Sequence, residues 1–205
     1  MCFRRAQRIV STGRVITMSN REVRAVSTDF KTRETGDDLH IEGYFSVFDS
    51  VYQIAPDMSE SVDRHAFDKT LDGDIRALIN HDTSLVLGRT KAGTLSLRTD
   101  DHGLYGDIII NPNDNDAMSV YARVKRGDVD QCSFGFNILK ESTEIREDGS
   151  VHWTIEDVEL FEVSVCTFPA YDETSIKARS AERDEMQKRK LQAWKEKLKG
   201  VIHHA

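Results

Sequence analysis

The sequence predicts a β-rich α+β protein. Apolar and polar residues alternate with a period of two over many short stretches, as in strands that bury one face. Polar turn residues separate these stretches at short intervals, which favours antiparallel pairing of consecutive strands. Three segments instead repeat apolar residues every three or four positions, as helices do. With 205 residues, the chain is long enough for one sizeable core.

The N-terminal third of the chain is predicted to contain consecutive strands. They cover residues 22–28, 39–48 and 51–55. The polar stretch 31–38 predicts a loop between the first two, and Gly43 is the expected site of a β-bulge.

A short surface helix is predicted next, at residues 59–71, because apolar residues recur there at three- and four-residue spacing. Four strands are expected to follow, and a turn sequence joins the last two as a hairpin. These strands cover residues 75–80, 85–89, 94–98 and 104–110.

The second predicted helix begins after Asn111-Pro112, with Asp114 or Asn115 as its N-cap. Its core-facing residues are Ala117, Val120, Tyr121 and Val124. Strands resume at residues 133–139, 142–145, 151–155 and 158–168. A charged helix over 175–200 carries only a thin apolar line, which predicts a helix that either packs weakly against the remainder of the chain or stands apart from it.

Charge divides the chain into three parts. Residues 1–20 form a basic leader that is expected to be disordered, with Met18 as an alternative start; residues 21–175 form the main domain, and residues 176–205 form a charged helical tail. Both ends are rich in lysine and arginine, whereas the middle is acidic and the net charge is -7. Basic ends can bind an acidic partner or nucleic acid. Solvated tails explain them equally well, and nucleic acid is not an expected partner.

Several classes of protein are excluded by composition. No apolar run reaches the roughly 18 residues of a membrane helix, and no signal-peptide core is present. The three cysteines, Cys2, Cys132 and Cys166, lack the spacing of a disulfide framework or a zinc site. No glycine-rich phosphate loop occurs. Neither a metal nor an organic cofactor is therefore expected.

The segment Gln131–Phe136, with sequence Gln-Cys-Ser-Phe-Gly-Phe, is the first candidate for reactive chemistry. Ser133 begins an aromatic strand, and Gly135 permits a close approach of another backbone. This arrangement can present a nucleophile, although many serines in such a setting only cap or end a strand. Cys132 is the alternative nucleophile. Because neighbouring strand residues point to opposite faces, only one of the two can face a given site.

A nucleophilic serine requires a base and a group that orients the base. Among the seven histidines, His81 is distinctive because it ends an apolar strand between Asn80 and Asp82, where an imidazole can be half-buried and held in one tautomer. Glu162 lies among apolar neighbours, so its carboxylate is expected to be paired unless it faces outward. Glu159 is the reserve for the orienting group.

Several motifs occur together in a defined order. They are Gly43-Tyr-Phe-Ser-Val-Phe-Asp49, His65-Ala-Phe67, Asn80-His-Asp82, Leu87-Gly-Arg89, Gly103-Leu104, Gly127 leading to Ser133-Phe-Gly-Phe136, and Glu162-Val-Ser-Val-Cys-Thr-Phe-Pro-Ala170. In this combination the chain resembles the caudovirus prohead serine protease family over roughly residues 22–175.

The resemblance implies a fold similar to that of herpesvirus assemblin: a small closed antiparallel β-barrel surrounded by helices, with the nucleophilic serine and a histidine on neighbouring strands. By motif, Ser133 is the nucleophile and His81 is the general base. Assemblins use a second histidine as the third group, whereas the matching strand here offers Glu162. His65 stands where the family usually has glycine and is a competing site histidine. Backbone N–H groups or Arg89 are the expected oxyanion donors.

The function implied by the resemblance is that of a serine endopeptidase acting inside the assembling prohead in the host cytoplasm. Its expected substrates are the scaffold segment of the major capsid protein and the protease itself, and a homo-oligomer is expected. The basic C-terminal helix would tether the enzyme to scaffold before its removal. Two alternatives remain: a non-enzymatic scaffold or capsid-associated β-barrel module in which Ser133 and His81 are structural, and a cysteine protease that uses Cys132.

Overall fold

The computed structural model describes residues 22–28, 30–36, 38–168 and 173–202. The predicted leader at residues 1–20 lies outside these ranges. The strands are β1 (Glu22–Ser27), β2 (Lys31–Thr35), β3 (Asp38–Val47), β4 (Tyr52–Ala55), β5 (Met58–Val62), β6 (Arg76–Ile79), β7 (Asp82–Arg89), β8 (Leu95–Thr99), β9 (Gly103–Ile110), β10 (Gln131–Ile145) and β11 (Val151–Cys166). The helices are α1 (Asn115–Arg126) and α2 (Glu173–Ile202), so the predicted β-rich α+β class is confirmed.

The strands form two sheets. Sheet A has the order β1-β10-β11-β5-β4, with β6 and β7 added beside β11, and sheet B has the order β2-β3-β9-β8. Strand β11 uses one edge for its antiparallel partner β10 and the other edge, in two successive parts, for β5 and β6, both of which run parallel to it. The prediction of an entirely antiparallel sheet is therefore wrong. The described strands do not close on one another, so the closed barrel implied by the resemblance is not confirmed.

Bulges allow β10 and β11 to contact different neighbours along their length. The register of this pair shifts between Gly135 and Phe136 and twice more between Ile138 and Glu141. Each bulge bends the strand and increases its twist. As a result, the core-facing side of β11 changes along the strand, and its core residues are Val151, Trp153, Ile155, Val158, Leu160, Val163 and Val165.

Both sheets and α1 contribute to one principal core. Phe134 of β10 lies at its centre, with its ring 5.6 Å from that of Phe67 and 4.8 Å from that of Phe136. The side chain of Asp114 caps α1 by accepting hydrogen bonds from the first-turn N–H groups of Asp116 and Ala117. The four predicted core residues of this helix are all buried, which confirms both its position and its inward face.

Two predicted elements have the wrong type, and the four strands predicted between residues 133 and 168 are two continuous strands, β10 and β11. Residues 59–71 do not form a helix: β5 occupies Met58–Val62 and is followed by turns. All five β5 residues are buried between β4 and β11, so the strand lacks the alternation that identifies a half-exposed strand. The expected loop at 31–38 contains β2 instead. This edge strand pairs with β3, and its polar, mostly exposed side chains suit an edge.

The expected bulge at Gly43 lies elsewhere. Gly43 pairs in regular register with Gly106, and the irregularity falls between Tyr44 and Ser46. A Cβ at residue 43 would overlap the ring of Phe30. This glycine therefore makes room for an aromatic side chain.

A buried ion network joins the two ends of the described chain. Glu60 of β5 is fully buried and accepts hydrogen bonds from Arg24 of β1 and from Arg179 of α2, with Nη2–Oε2 distances of 2.9 and 3.2 Å. Burial alone would raise the pKa of Glu60, but the hydrogen bond and charge of Arg24 and the charge of Arg179 hold it below its ordinary value. Arg179 also pairs with Glu141 at 2.6 Å.

The network fixes only the first part of α2. Arg183 reaches Asp57 at 2.7 Å, and Met186 packs on the small core around Trp153. From residue 187 to 196, every residue of the helix is exposed. No helix among the described residues is both long and apolar enough to cross a membrane.

Glu60→Gln should destabilise the protein substantially at about pH 7. The substitution removes the carboxylate shared by two buried guanidinium groups, and we expect a loss of about 3 kcal/mol of unfolding free energy because breaking a buried ion pair leaves charge uncompensated. Urea denaturation would measure it, with the exposed Glu196→Gln as a control that should leave stability unchanged.

The difference between wild type and Glu60→Gln should also depend on pH. Because the pKa of Glu60 is lowered in the folded state, its stabilising contribution is complete above the ordinary carboxyl value of 4.5 and is lost as pH falls through the folded value. The two unfolding free energies should therefore converge in acid. Equal stabilities near neutrality would contradict the proposed contribution of this network.

Candidate active site

His81 lies in a two-residue turn between β6 and β7. Ile79 pairs with Asp82, and the two residues between them, Asn80 and His81, have φ values of 49° and 62°. Positive φ at both central residues suits the twist of a tight hairpin, but it favours asparagine and glycine. A histidine in this left-handed region costs roughly 1–2 kcal/mol. Such strain is typical of residues that a functional site holds in place.

The end of β11 anchors this turn. The backbone N–H of Asn80 donates to the carbonyl of Val165 at 3.0 Å, and its side-chain Oδ1 accepts from the N–H of Thr167 at 2.9 Å. These bonds hold the turn against β11, where the next site residue lies.

The imidazole of His81 is paired with the carboxylate of Glu162. Nδ1 lies 2.6 Å from Oε1, and the side chains are 20% and 8% exposed, respectively. Because a carboxylate accepts here, the proton is assigned to Nδ1, and Nε2 carries the lone pair. Nε2 lies 3.7 Å from Sγ of Cys166. The pair therefore presents a half-buried imidazole with one nitrogen able to accept a proton.

The second oxygen of Glu162 is also bound. Oγ of Ser164 donates to Oε2 at 2.6 Å, and the same hydroxyl accepts from the backbone N–H of His81 at 3.3 Å. Opposite Glu162 in the sheet lies Gly135, where an added Cβ would overlap the carboxylate. The glycine of the Ser-Phe-Gly-Phe motif thus makes room for the side chain of Glu162.

Ser133 lies on the same face of sheet A as Glu162. It is directly opposite Ser164, two residues from Gly135, and is fully buried. Its hydroxyl donates to the carbonyl of Arg24 in β1 at 2.7 Å. In the described part of the chain, no hydrogen bond joins Ser133 to His81. The structure thus brings the histidine and the glutamate together and leaves the serine bound to a backbone carbonyl.

The expectation that the serine and histidine lie on neighbouring strands is wrong. Ser133 is on β10, and His81 follows β6; β11 pairs with both and separates them.

The alternative nucleophile Cys132 lies on the opposite face. It is fully buried in the principal core, and its Sγ donates to the carbonyl of Tyr44 at 3.0 Å. The alternation expected for Cys132 and Ser133 is therefore present, and the cysteine faces away from His81.

The other candidate side chains are engaged elsewhere. His65 is 80% exposed and contacts Asp68 at 2.9 Å. Arg89 donates to Asp74, and this hydrogen bond holds the pKa of Asp74 at about 2.

The reserve orienting group also lacks the required contact. Glu159 is exposed and accepts a bond from Asn137 at 3.3 Å. Among the described side chains, no three potential metal ligands gather in one place.

Two neighbours of the pair were absent from the candidate residues: Ser164 and Cys166. The alternation of side chains along a strand could have identified them, because residues 162, 164 and 166 share one face of β11. Burial, followed by the charge of Glu162, raises the pKa of Cys166 to about 12. The thiol is therefore neutral near physiological pH and is poorly suited to nucleophilic attack.

A sequence profile of known proteins matches this chain. The profile of the caudovirus prohead serine protease family covers residues 26–189, which is most of the sequence. The chain belongs to this family. The prohead protease of Enterobacteria phage HK97 is 30% identical over 155 residues, which make up 74% of this chain and 64% of that protein. This member of the family therefore spans just under two thirds of that relative's length.

A solved structure gives a weaker likeness. The capsid assembly protease of bacteriophage T4 covers 71% of this chain and 98% of its own, with 11% sequence identity and a TM-score of 0.43.

Cys166 in this prohead protease family member should resist alkylation. With a pKa of about 12, only about one thiol in ten thousand is ionised at about pH 8, and the thiolate is the reactive form. Iodoacetamide treatment followed by peptide mass spectrometry should find Cys166 unmodified in the folded protein and modified in urea. Equal labelling under both conditions would refute the assigned burial.

Gly135→Ala should destabilise the protein through Glu162. The three atoms nearest to the added Cβ all belong to this side chain, so overpacking should cost about 1–3 kcal/mol. In a Glu162→Ala background the cost should be much smaller. A double-mutant cycle by urea denaturation measures this coupling, and additive effects would show that the two residues do not compete for space.

Proposed function

We propose that this protein is a serine endopeptidase of prohead maturation. Its substrates would be capsid-assembly proteins, including the scaffold segment of the major capsid protein, and the protease itself. The observation that carries the proposal is the His81–Glu162 pair, on the same sheet face as Ser133, in a member of a protease family. The pair supplies a base of defined tautomer, and the candidate nucleophile lies on the same sheet face, directly opposite Ser164, which contacts the pair.

In the proposed reaction, His81 acts through Nε2. The Ser133 hydroxyl gives its proton to Nε2 as Oγ attacks the carbonyl carbon of the scissile peptide. The tetrahedral intermediate then collapses, and the imidazolium returns the proton to the leaving amine. A water, deprotonated in turn by Nε2, attacks the acyl carbon, and as the second tetrahedral intermediate collapses the imidazolium returns its proton to Oγ of Ser133 and the carboxylic acid product is released. Glu162 keeps Nδ1 protonated and stabilises the imidazolium that forms in each half of the reaction.

Ser133 must change its partner before it can react. Its hydroxyl now donates to the carbonyl of Arg24, so catalysis requires it to turn toward His81 and to exchange a backbone acceptor for Nε2. The serine hydroxyl keeps one acceptor in this exchange, whereas the carbonyl of Arg24 loses a donor. Catalytic hydrogen bonds often form fully only when substrate binds, and the 20% exposure of the imidazole provides an approach from solvent.

The oxyanion donors are assigned to backbone N–H groups. Arg89 is held by both oxygens of Asp74 at 2.6 Å, which makes it a poor donor to a transient oxyanion. Preorganised backbone donors meet that need without reorganisation.

The enzyme would act as a homo-oligomer inside the prohead, in the host cell. The exposed part of α2 supports a role in tethering it to scaffold there. Leu191 and Trp194, 50% and 58% exposed, lie three residues apart on a helix rich in lysine and arginine. A basic helix with exposed apolar residues can bind an acidic amphipathic segment.

One observation favours a second candidate, a non-enzymatic scaffold or capsid-associated module. Ser133 is completely buried, and a backbone carbonyl satisfies its hydroxyl, as in a serine that only stabilises a sheet.

The proposed roles predict the effects of three substitutions. Ser133→Ala and His81→Ala should abolish cleavage, and Glu162→Gln should slow it by about 10²–10⁴, because the imidazole loses its orienting charge. Each variant would be co-expressed with the capsid precursor, and the products followed by mass spectrometry. The matched controls Ser96→Ala, His65→Ala and Glu159→Gln change exposed side chains and should cleave normally.

Two results would decide against the assigned chemistry. Full processing by Ser133→Ala would eliminate the serine as nucleophile. If the wild type binds the capsid precursor but does not cleave it, the result favours the non-enzymatic scaffold module.

A further inference from the structure

We propose that Ser164 is a positioning residue that sets the geometry between His81 and Glu162. The inference rests on the proposed function and assigns Ser164 a role in the same site. Its hydroxyl contacts both members of the pair: it donates to Oε2 of Glu162 at 2.6 Å and accepts from the backbone N–H of His81 at 3.3 Å. A single fully buried hydroxyl therefore connects the carboxylate to the turn that carries the imidazole.

The first contact restricts the Glu162 side chain. A glutamate has three rotatable side-chain bonds, so one hydrogen bond to His81 does not fix the plane of its carboxylate. Hydrogen-bond donors on both carboxylate oxygens do fix that plane, and close contact with Gly135, which lies opposite on β10, limits movement of the side chain. Without Ser164, Oε2 would lose its side-chain partner in a site where Glu162 is only 8% exposed, and the carboxylate would turn to find another donor.

The second contact restricts the backbone of His81. The left-handed conformation at this residue is unfavourable, and the Ser164 hydroxyl satisfies the N–H that this conformation directs toward β11. The ring therefore leaves the backbone from a fixed point. Together, the two contacts set the distance between Nδ1 and Oε1.

Ser164 is arranged to orient and not to attack. Its proton is directed to the carboxylate, while Nε2 of His81 lies beside Cys166. In the described part of the chain, His81 and Ser164 are the side chains that hydrogen-bond to Glu162, whereas Arg76, opposite Glu162 in register, donates to Asp74. The carboxylate therefore depends on these two donors for its position.

The positioning role and a competing explanation predict opposite spectroscopic changes. If Ser164 positions Glu162, its removal lengthens the bond between Nδ1–H and the carboxylate. If the hydroxyl only competes with His81 for the carboxylate, its removal strengthens that bond. The imidazole N–H proton resonance moves downfield as the bond to its acceptor shortens, so the direction of its shift distinguishes the two cases.

The spectroscopic test uses full-length protein with ¹⁵N-labelled histidine and the Ser133→Ala substitution, which prevents self-cleavage. The Nδ1–H resonance of His81 is identified by its loss in His81→Ala. Ser164→Ala should shift this resonance upfield or broaden it by exchange, and Ser164→Thr, which keeps the hydroxyl, should preserve it. Ser46→Ala, which removes another fully buried serine hydroxyl, is the matched control and should leave the resonance in place.

The kinetic test uses purified capsid precursor as substrate and an intact Ser133. Ser164→Ala should lower kcat by about 10–100-fold with little change in KM, because a displaced catalytic group impairs the chemical step and not binding. Ser164→Thr should recover most of the rate. A downfield shift, an unchanged resonance, or equal loss in the alanine and threonine variants would overturn the positioning role. If the wild type cleaves nothing, the proposed protease function fails, while the resonance still tests Ser164.

Discussion

The backbone pairing of β10 with β11 is the constraint on which the site depends. It places Ser133 opposite Ser164 and Gly135 opposite Glu162, and the other edge of β11 receives β6, whose following turn carries His81. Because side chains alternate along a strand, a slip of one residue would exchange these polar groups with the core residues of the same strands. The packing of Phe134 and its neighbours therefore also fixes the register of the polar face.

Sheet A contains two buried glutamates whose environments differ in kind. Glu60 is held by two arginines, which remain charged at any physiological pH, so its ion pairs are permanent and their role is structural. Glu162 is held by a hydroxyl and an imidazole, and the charge of the imidazole can change during a reaction. The same residue type thus attaches β1 and α2 to the sheet at residue 60, and at residue 162 it holds the imidazole that is proposed as the base.

Local sequence patterns predicted the helices and strands that bury one face and expose the other. Helix α1 was predicted with its cap and its inward residues, and most strands were predicted within a few positions. The prediction failed at β5, because a strand covered on both faces has no alternation and the apolar spacing over residues 59–71 favoured a helix. This strand also buries the charge of Glu60. The partners that allow this charge to be buried, Arg24 and Arg179, are distant in sequence and could not be inferred from local pattern.

The sequence predicted which residues belong to the candidate site better than it predicted how they are arranged. Motifs identified His81 and Glu162, which the structure joins by a hydrogen bond. Strand order could not be read from the chain, so β11 was not placed between the serine and the histidine. The shared face of residues 162, 164 and 166 was available from the period of two, and it would have added Ser164 and Cys166 to the candidates.

The left-handed turn at His81 has a consequence for protein engineering. Glycine or asparagine would relax the backbone there, but either would also leave Oε1 of the 8% exposed Glu162 without its imidazole partner. A selection for thermal stability alone therefore sets roughly 1–2 kcal/mol of backbone strain against the cost of an unpaired buried carboxylate, and the larger of the two decides whether the histidine is retained. Stability measured at this position thus reports on the strength of the His81–Glu162 pair as well as on the strain of the turn.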